Sequence, residues 1–110
     1  MATAKDVRRI AMGLDGSVEA PHFDRTSYRV ARIYCTVAPD GLTANLNLTP
    51  DQQLMKLEVH PAGFARVDNS FGLKGWTTLT LSAVNEAELE DVLTLAWGNA
   101  QKKRPAKKAR

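Results

Sequence analysis

Hydrophobic and polar positions along the chain change period several times. Val7, Ile10, Ala11 and Leu14 follow the i, i+3, i+4, i+7 spacing of one helical stripe. Thr3 supplies an N-cap, Asp6 an acidic first turn, and Gly13 and Gly16 bracket the end, so a helix is predicted over residues 4–13. Pro21 and the polar run from Asp24 to Ser27 read as a loop. Residues 28–38 are dominated by β-branched and aromatic types and exceed one typical strand, which predicts a tight hairpin turning at Ala31-Arg32. After the Pro39-Asp40-Gly41 turn, Leu42, Ala44, Leu46 and Leu48 alternate with Thr43, Asn45 and Asn47 as a half-buried strand.

A second helix is announced by Thr49-Pro50-Asp51-Gln52, with a capping threonine, proline at the first helical position and glutamine placed to close a capping box. Leu54 and Leu57 are expected to face inward, and the helix should stop before His60-Pro61. Residues 64–67 read as a short strand, 68–75 as a loop and 76–81 as the last strand. Asn85 with Glu88 opens the final helix, whose buried face is Leu89, Val92, Leu93, Ala96 and Ala100, with Trp97 beside them. The order is α-β-β-β-α-β-β-α. It predicts an α+β fold: a two-layer α/β sandwich with an antiparallel five-stranded sheet and its helices on one face.

Charge divides the chain. Of 15 Lys/Arg and 12 Asp/Glu, six cations and no anion fall in residues 101–110, so residues 1–100 carry a net −3. The expected organisation is a single domain over 1–100 followed by a basic, disordered tail over 101–110. The overall basic balance belongs to that tail, which weakens it as an argument for nucleic-acid binding by the domain. A composition 44% hydrophobic and 25% charged is that of an ordinary globular protein. A lone cysteine, no apolar leader and no apolar run of membrane-spanning length make a cytoplasmic protein the default expectation.

Reactive side chains are sparse. His22 and His60 lack Cys, His or acidic neighbours at ligand spacing, so no metal and no cofactor are expected. Cys35 alternates with Ile33 and Val37 on the apolar side of its strand, where a thiol is inert. Glu19, Asp24, Asp40 and Asp68 fit turn and cap chemistry, and no nucleophile triad or phosphate loop is present, so an enzyme is not expected.

The uncovered sheet face is the better candidate. Alternation places Tyr34, Thr36, Asn45, Asn47, Trp76, Thr78 and Thr80 on it, rimmed by Arg29, Arg32, Arg66 and Lys74. Aromatic planes and amides of this kind serve nucleic-acid contact, and they are also common on any solvated antiparallel face. The tail cations Lys102, Lys103, Arg104, Lys107, Lys108 and Arg110 suit phosphate contact without sequence reading, or simply solubility. His22 and Trp76 could frame a small-molecule pocket.

Several local motifs in this order resemble the MmcQ/YjbR family. They are Leu14-Asp15-Gly16-Ser17-Val18-Glu19, Pro21-His22-Phe23, the 29–37 hairpin, Leu46-Asn47-Leu48-Thr49-Pro50-Asp51-Gln52-Gln53, Lys74-Gly75-Trp76 and Ala96-Trp97. Asp15, Asn47 and Trp97 depart from the family's frequent proline, lysine and tyrosine, and Asn47 removes a cation from the sheet. The resemblance implies a two-layer fold with an antiparallel sheet and a "double-wing" DNA-binding function. DNA is therefore the first expected partner. A polypeptide, bound as by small secretion chaperones of similar architecture, is the alternative that suits a net-negative body.

Overall fold

Reciprocal caps start the three long helices at the positions their sequences indicate. In the computed structural model, which describes residues 1–102, α1 (Ala4–Gly13) is capped by Thr3 and Asp6. Thr49 and Gln52 cap α2 (Pro50–Val59), and Asn85 and Glu88 cap α4 (Glu86–Asn99). In each pair the side chain of one residue accepts the other's backbone N–H, so two orphan donors are satisfied together. A single helical turn, α3 (Ser70–Leu73), occupies part of the stretch expected to be loop.

Among the described residues six strands form one antiparallel sheet: β1 (Val18–His22), β2 (Arg25–Arg29), β3 (Ile33–Val37), β4 (Thr43–Asn47), β5 (Phe64–Arg66) and β6 (Trp76–Thr80). Their spatial order is β1-β2-β3-β4-β6-β5. The fold is α+β, with six strands where the sequence suggested five. The extra strand is β1, together with the polar start of β2. Pro21 argued for a loop, but β1 is an edge strand, where a residue without an N–H costs no ladder bond to a further neighbour.

Packing sorts the elements. Helix α4 lies on β3 and β4, α1 packs against α4, and α2 contacts β5 and β6. The core joins Cys35, Val37, Ala44, Leu46 and Leu79 of the sheet to Val7 and Ala11 of α1 and Leu89, Val92, Leu93 and Ala96 of α4. Helix α2 differs from expectation. Its buried residue is Gln53 (2% exposed), whereas Leu54 is 50% exposed and Leu57 is partly buried.

Gln53 is buried because backbone groups need it. Its Nε2 donates to the carbonyls of Gly72 (3.0 Å) and Trp76 (2.9 Å), and its Oε1 accepts from Arg66 Nε at 3.0 Å. Glycines allow the close approach around it: a Cβ on Gly72 would stand 1.8 Å from the Val67 carbonyl oxygen, and one on Gly75 2.0 Å from that of Leu48. Leucine at position 53 would fill the volume and strand these partners, each buried unsatisfied group costing about 1–3 kcal/mol. Gln53→Leu should therefore lower the unfolding free energy by about 2–3 kcal/mol in urea titration. A loss below about 1 kcal/mol would contradict this account.

Candidate functional site

The face of each strand residue follows from register, because residues directly opposite one another across a ladder share a face. Thr36 stands opposite Asn45, Asn45 opposite Thr78, Asn47 opposite Trp76 and His22 opposite Arg25. These residues define the outer face, away from the α4 core. They surround a cleft of about 230 Å³ lined by His22, Ile33, Thr36, Asn45, Phe71 and Trp76, with Val67 and Asn69 at its end. His22 and Trp76, paired in the sequence reading, both line it.

A bulge in β3 shapes this face. Tyr28 pairs with Cys35 but Arg29 pairs with Ile33, leaving Tyr34 as an extra residue that interrupts side-chain alternation. Tyr34 is consequently absent from the outer face. It is fully buried beneath α1, with its hydroxyl 2.8 Å from Ser17 Oγ and donating to the Ala11 carbonyl at 3.4 Å. Ile33, expected on the apolar side with Cys35, lines the outer cleft instead. Strict period-2 counting cannot foresee either placement.

Two rim arginines are also placed elsewhere. Arg32 serves the C-terminus of α4: its Nη2 donates to the Asn99 carbonyl at 2.5 Å and its backbone N–H to that of Ala100 at 3.2 Å. The last turn of α4 has no basic residue of its own, so Arg32 meets the orphan carbonyls and the negative dipole end. Arg66 pairs with Thr77, the inward neighbour of Thr78, and its guanidinium ends on Gln53. Arg29 remains exposed beside Ile33, and Lys74 holds its Nζ 5.7 Å from the Phe71 ring centroid. Thr78 donates to Asn45 Oδ1 at 2.8 Å, and the Asn47 carbonyl accepts from Asn99. Lys102 is exposed; Lys103, Arg104, Lys107, Lys108 and Arg110 lie outside the described residues.

Several residues of this face were not read from the sequence, Val67 and Asn69 of the cleft lining among them. Arg25, taken as loop, donates from Nε to Thr36 Oγ1 at 2.9 Å and from Nη2 to the Thr36 carbonyl at 3.2 Å. Phe71 enters the cleft from α3; an aromatic between polar residues and Gly72 was its only signal. Phe23 caps the β1–β2 hairpin at 93% exposure with φ +60°, a conformation glycine normally supplies, and its ring meets that of His22 edge-on at 4.8 Å.

Reactive groups elsewhere are occupied or inaccessible. His60 Nδ1 lies 3.2 Å from Glu88 Oε2. No group of three or more His, Cys, Asp or Glu among the described residues could hold a metal ion, and no described helix is long and apolar enough to cross a membrane. Cys35 is fully buried, and burial pushes its thiol up to about 12 against a smaller opposing effect of Arg25. Burial likewise raises Tyr34 to about 12, partly offset by its bond to Ser17.

The YjbR family model matches residues 12–99. This chain belongs to the YjbR family. A crystal structure of a Deinococcus radiodurans protein with a DUF419 domain superposes with a TM-score of 0.74 at 24% identity, over 87% of this chain and 76% of that one. It establishes likeness of fold alone. No curated protein matches the chain.

Two measurements probe this region of the YjbR-family fold. Glycine at position 23 would relieve a left-handed side-chain conflict of about 1–2 kcal/mol at the cost of added unfolded-state freedom. Phe23→Gly should accordingly raise the unfolding free energy by about 0.5–1 kcal/mol, and a lower urea midpoint would count against a strained hairpin tip. Cys35 and Tyr34 both ionise later in the folded chain than in the unfolded one. Their stabilisation is complete below the unfolded thiol pKa near 8.5 and is lost as pH rises toward 12. Urea midpoints should fall between about pH 8 and pH 10.5, with a shallower fall in Cys35→Ala.

Proposed function

We propose that this chain is a non-enzymatic DNA-binding protein whose outer sheet face meets the nucleic acid. In this reading α1, α2 and α4 form one layer and the sheet the other, leaving the cleft face for a ligand. The observation that carries it is the cleft itself. Trp76 and Phe71 offer stacking surfaces, Asn45, Asn69 and Thr36 offer hydrogen bonds, and no carboxylate lines it. Arg25 and Arg29 on the same face and Lys74 beside Phe71 provide the cations. Phe23 supports it further, since a bulky residue held at positive φ and left in water is a feature that contact with a ligand explains.

The tail supplies the rest. Against a body of net −3, six cations in residues 101–110 would provide most of the salt-dependent affinity. The test is titration of the full chain and a 1–100 truncation against duplex and single-stranded DNA over a salt series. Truncation should weaken binding and reduce the slope of log K against log salt by at most about 5, while leaving measurable binding at low salt. Absence of binding by both forms would overturn the proposal.

A polypeptide-binding module is the second reading. One observation favours it: α2 presents Leu54, Met55 and Val59 to solvent at 50%, 62% and 77% exposure. Capture of one specific polypeptide that survives nuclease treatment, together with failure to bind DNA, would select it.

A further inference from the structure

Three polar side chains of the cleft share one hydrogen-bonding sense. Thr36 Oγ1 accepts from Arg25 Nε at 2.9 Å, so its hydroxyl proton remains to be donated. Asn69 Oδ1 accepts from the Phe71 backbone N–H at 2.8 Å, and Asn45 Oδ1 accepts from Thr78 Oγ1 at 2.8 Å. Neither asparagine Nδ2 donates to another of the described residues. Three cleft-lining side chains thus each have an oxygen already accepting one internal bond and a donor that no described residue uses.

Its walls and surroundings narrow the ligand further. Trp76 and Phe71 are aromatic and Ile33 is apolar, which suits a flat ring. The Arg25 guanidinium is held at Thr36 and the Lys74 ammonium lies near the Phe71 ring, so positive charge adjoins a lining without carboxylates. A volume of about 230 Å³ falls below the roughly 300–1,000 Å³ of sites for drug-sized ligands and matches one small planar group.

We infer that the cleft receives one unpaired base rich in ring carbonyls, thymine or uracil in preference to adenine, from a single-stranded nucleic acid. The inference rests on the DNA-binding reading and adds to it a strand type and a base preference. A base within a duplex is stacked and paired, so it cannot present both its edge and its face to a cleft on the protein surface. Thymine and uracil offer two carbonyls to donors. Adenine offers ring-nitrogen acceptors but sets an amine beside them, so part of its edge meets the cleft donor against donor. Cytosine, with one carbonyl and one amine, falls between.

The experiment measures fluorescence anisotropy of labelled oligo(dT), oligo(dC), oligo(dA) and a duplex with the full chain at one low salt concentration. Oligo(dT) should bind about tenfold more tightly than oligo(dA) and than the duplex, with oligo(dC) intermediate. Asn69→Asp and Asn45→Asp each retain the oxygen acceptor that the fold uses and replace the available donor with a second acceptor. Their added negative charge weakens every strand alike, so the dT to dA ratio is the readout, and it should fall toward one. Equal affinity for all strands, or an unchanged ratio in both variants, overturns the base preference while leaving the DNA-binding reading standing. Binding to none of the strands, the duplex included, overturns both.

Discussion

Because Tyr34 is an extra residue between the Tyr28–Cys35 and Arg29–Ile33 pairs, side-chain alternation restarts within β3. The restart gives the core a tyrosine anchored to Ser17 and Ala11, and it gives the outer face an isoleucine floor beneath the cleft. Both outcomes come from one insertion in one strand. In regular register the chain would present an aromatic to water and bury Ile33 instead, and the junction between α1 and the sheet would lose its polar anchor. The bulge therefore couples the packing of α1 to the composition of the outer face.

The opposite wall depends on a different device. Phe71 and Trp76 lie on separate elements, and Gln53 ties those elements together by bonding the Gly72 and Trp76 carbonyls from beneath the sheet. Arg66, drawn to the same amide, is a cation that the fold uses for this internal purpose. Arg32 is likewise used at the end of α4. The outer face keeps the positive charge of Arg25, held at Thr36, and of the exposed Arg29.

Much of the architecture was legible because local chemistry and tertiary packing agree. Thr3, Thr49 and Asn85 mark their helix starts, and the alternation of residues 42–48 marks β4 with Ala44, Leu46 and Leu48 buried as expected, whereas Leu42, expected inward, precedes the strand and is 65% exposed. The misreadings occur where tertiary context overrides a local rule. Pro21 signals a loop unless the strand is known to be an edge, and Gln53 signals solvent unless two carbonyls are known to lie beneath it. Of the candidate site, Asn45, Asn47, Thr36, Thr78, Trp76 and His22 could be placed from pattern and resemblance, whereas Asn69 was read only as loop. Tyr34, Arg32 and Arg66 could not, since a bulge, a helix end and a buried amide leave no periodic trace.

The edges of the sheet restrict how a partner can approach. One edge is β1, where Pro21 interrupts the row of N–H groups that a foreign strand would need. The other is β5, three residues long. Neither offers the continuous ladder on which extended peptides are captured by strand addition or on which sheets polymerise side by side. Addition of a further strand by backbone pairing is thereby disfavoured at both margins.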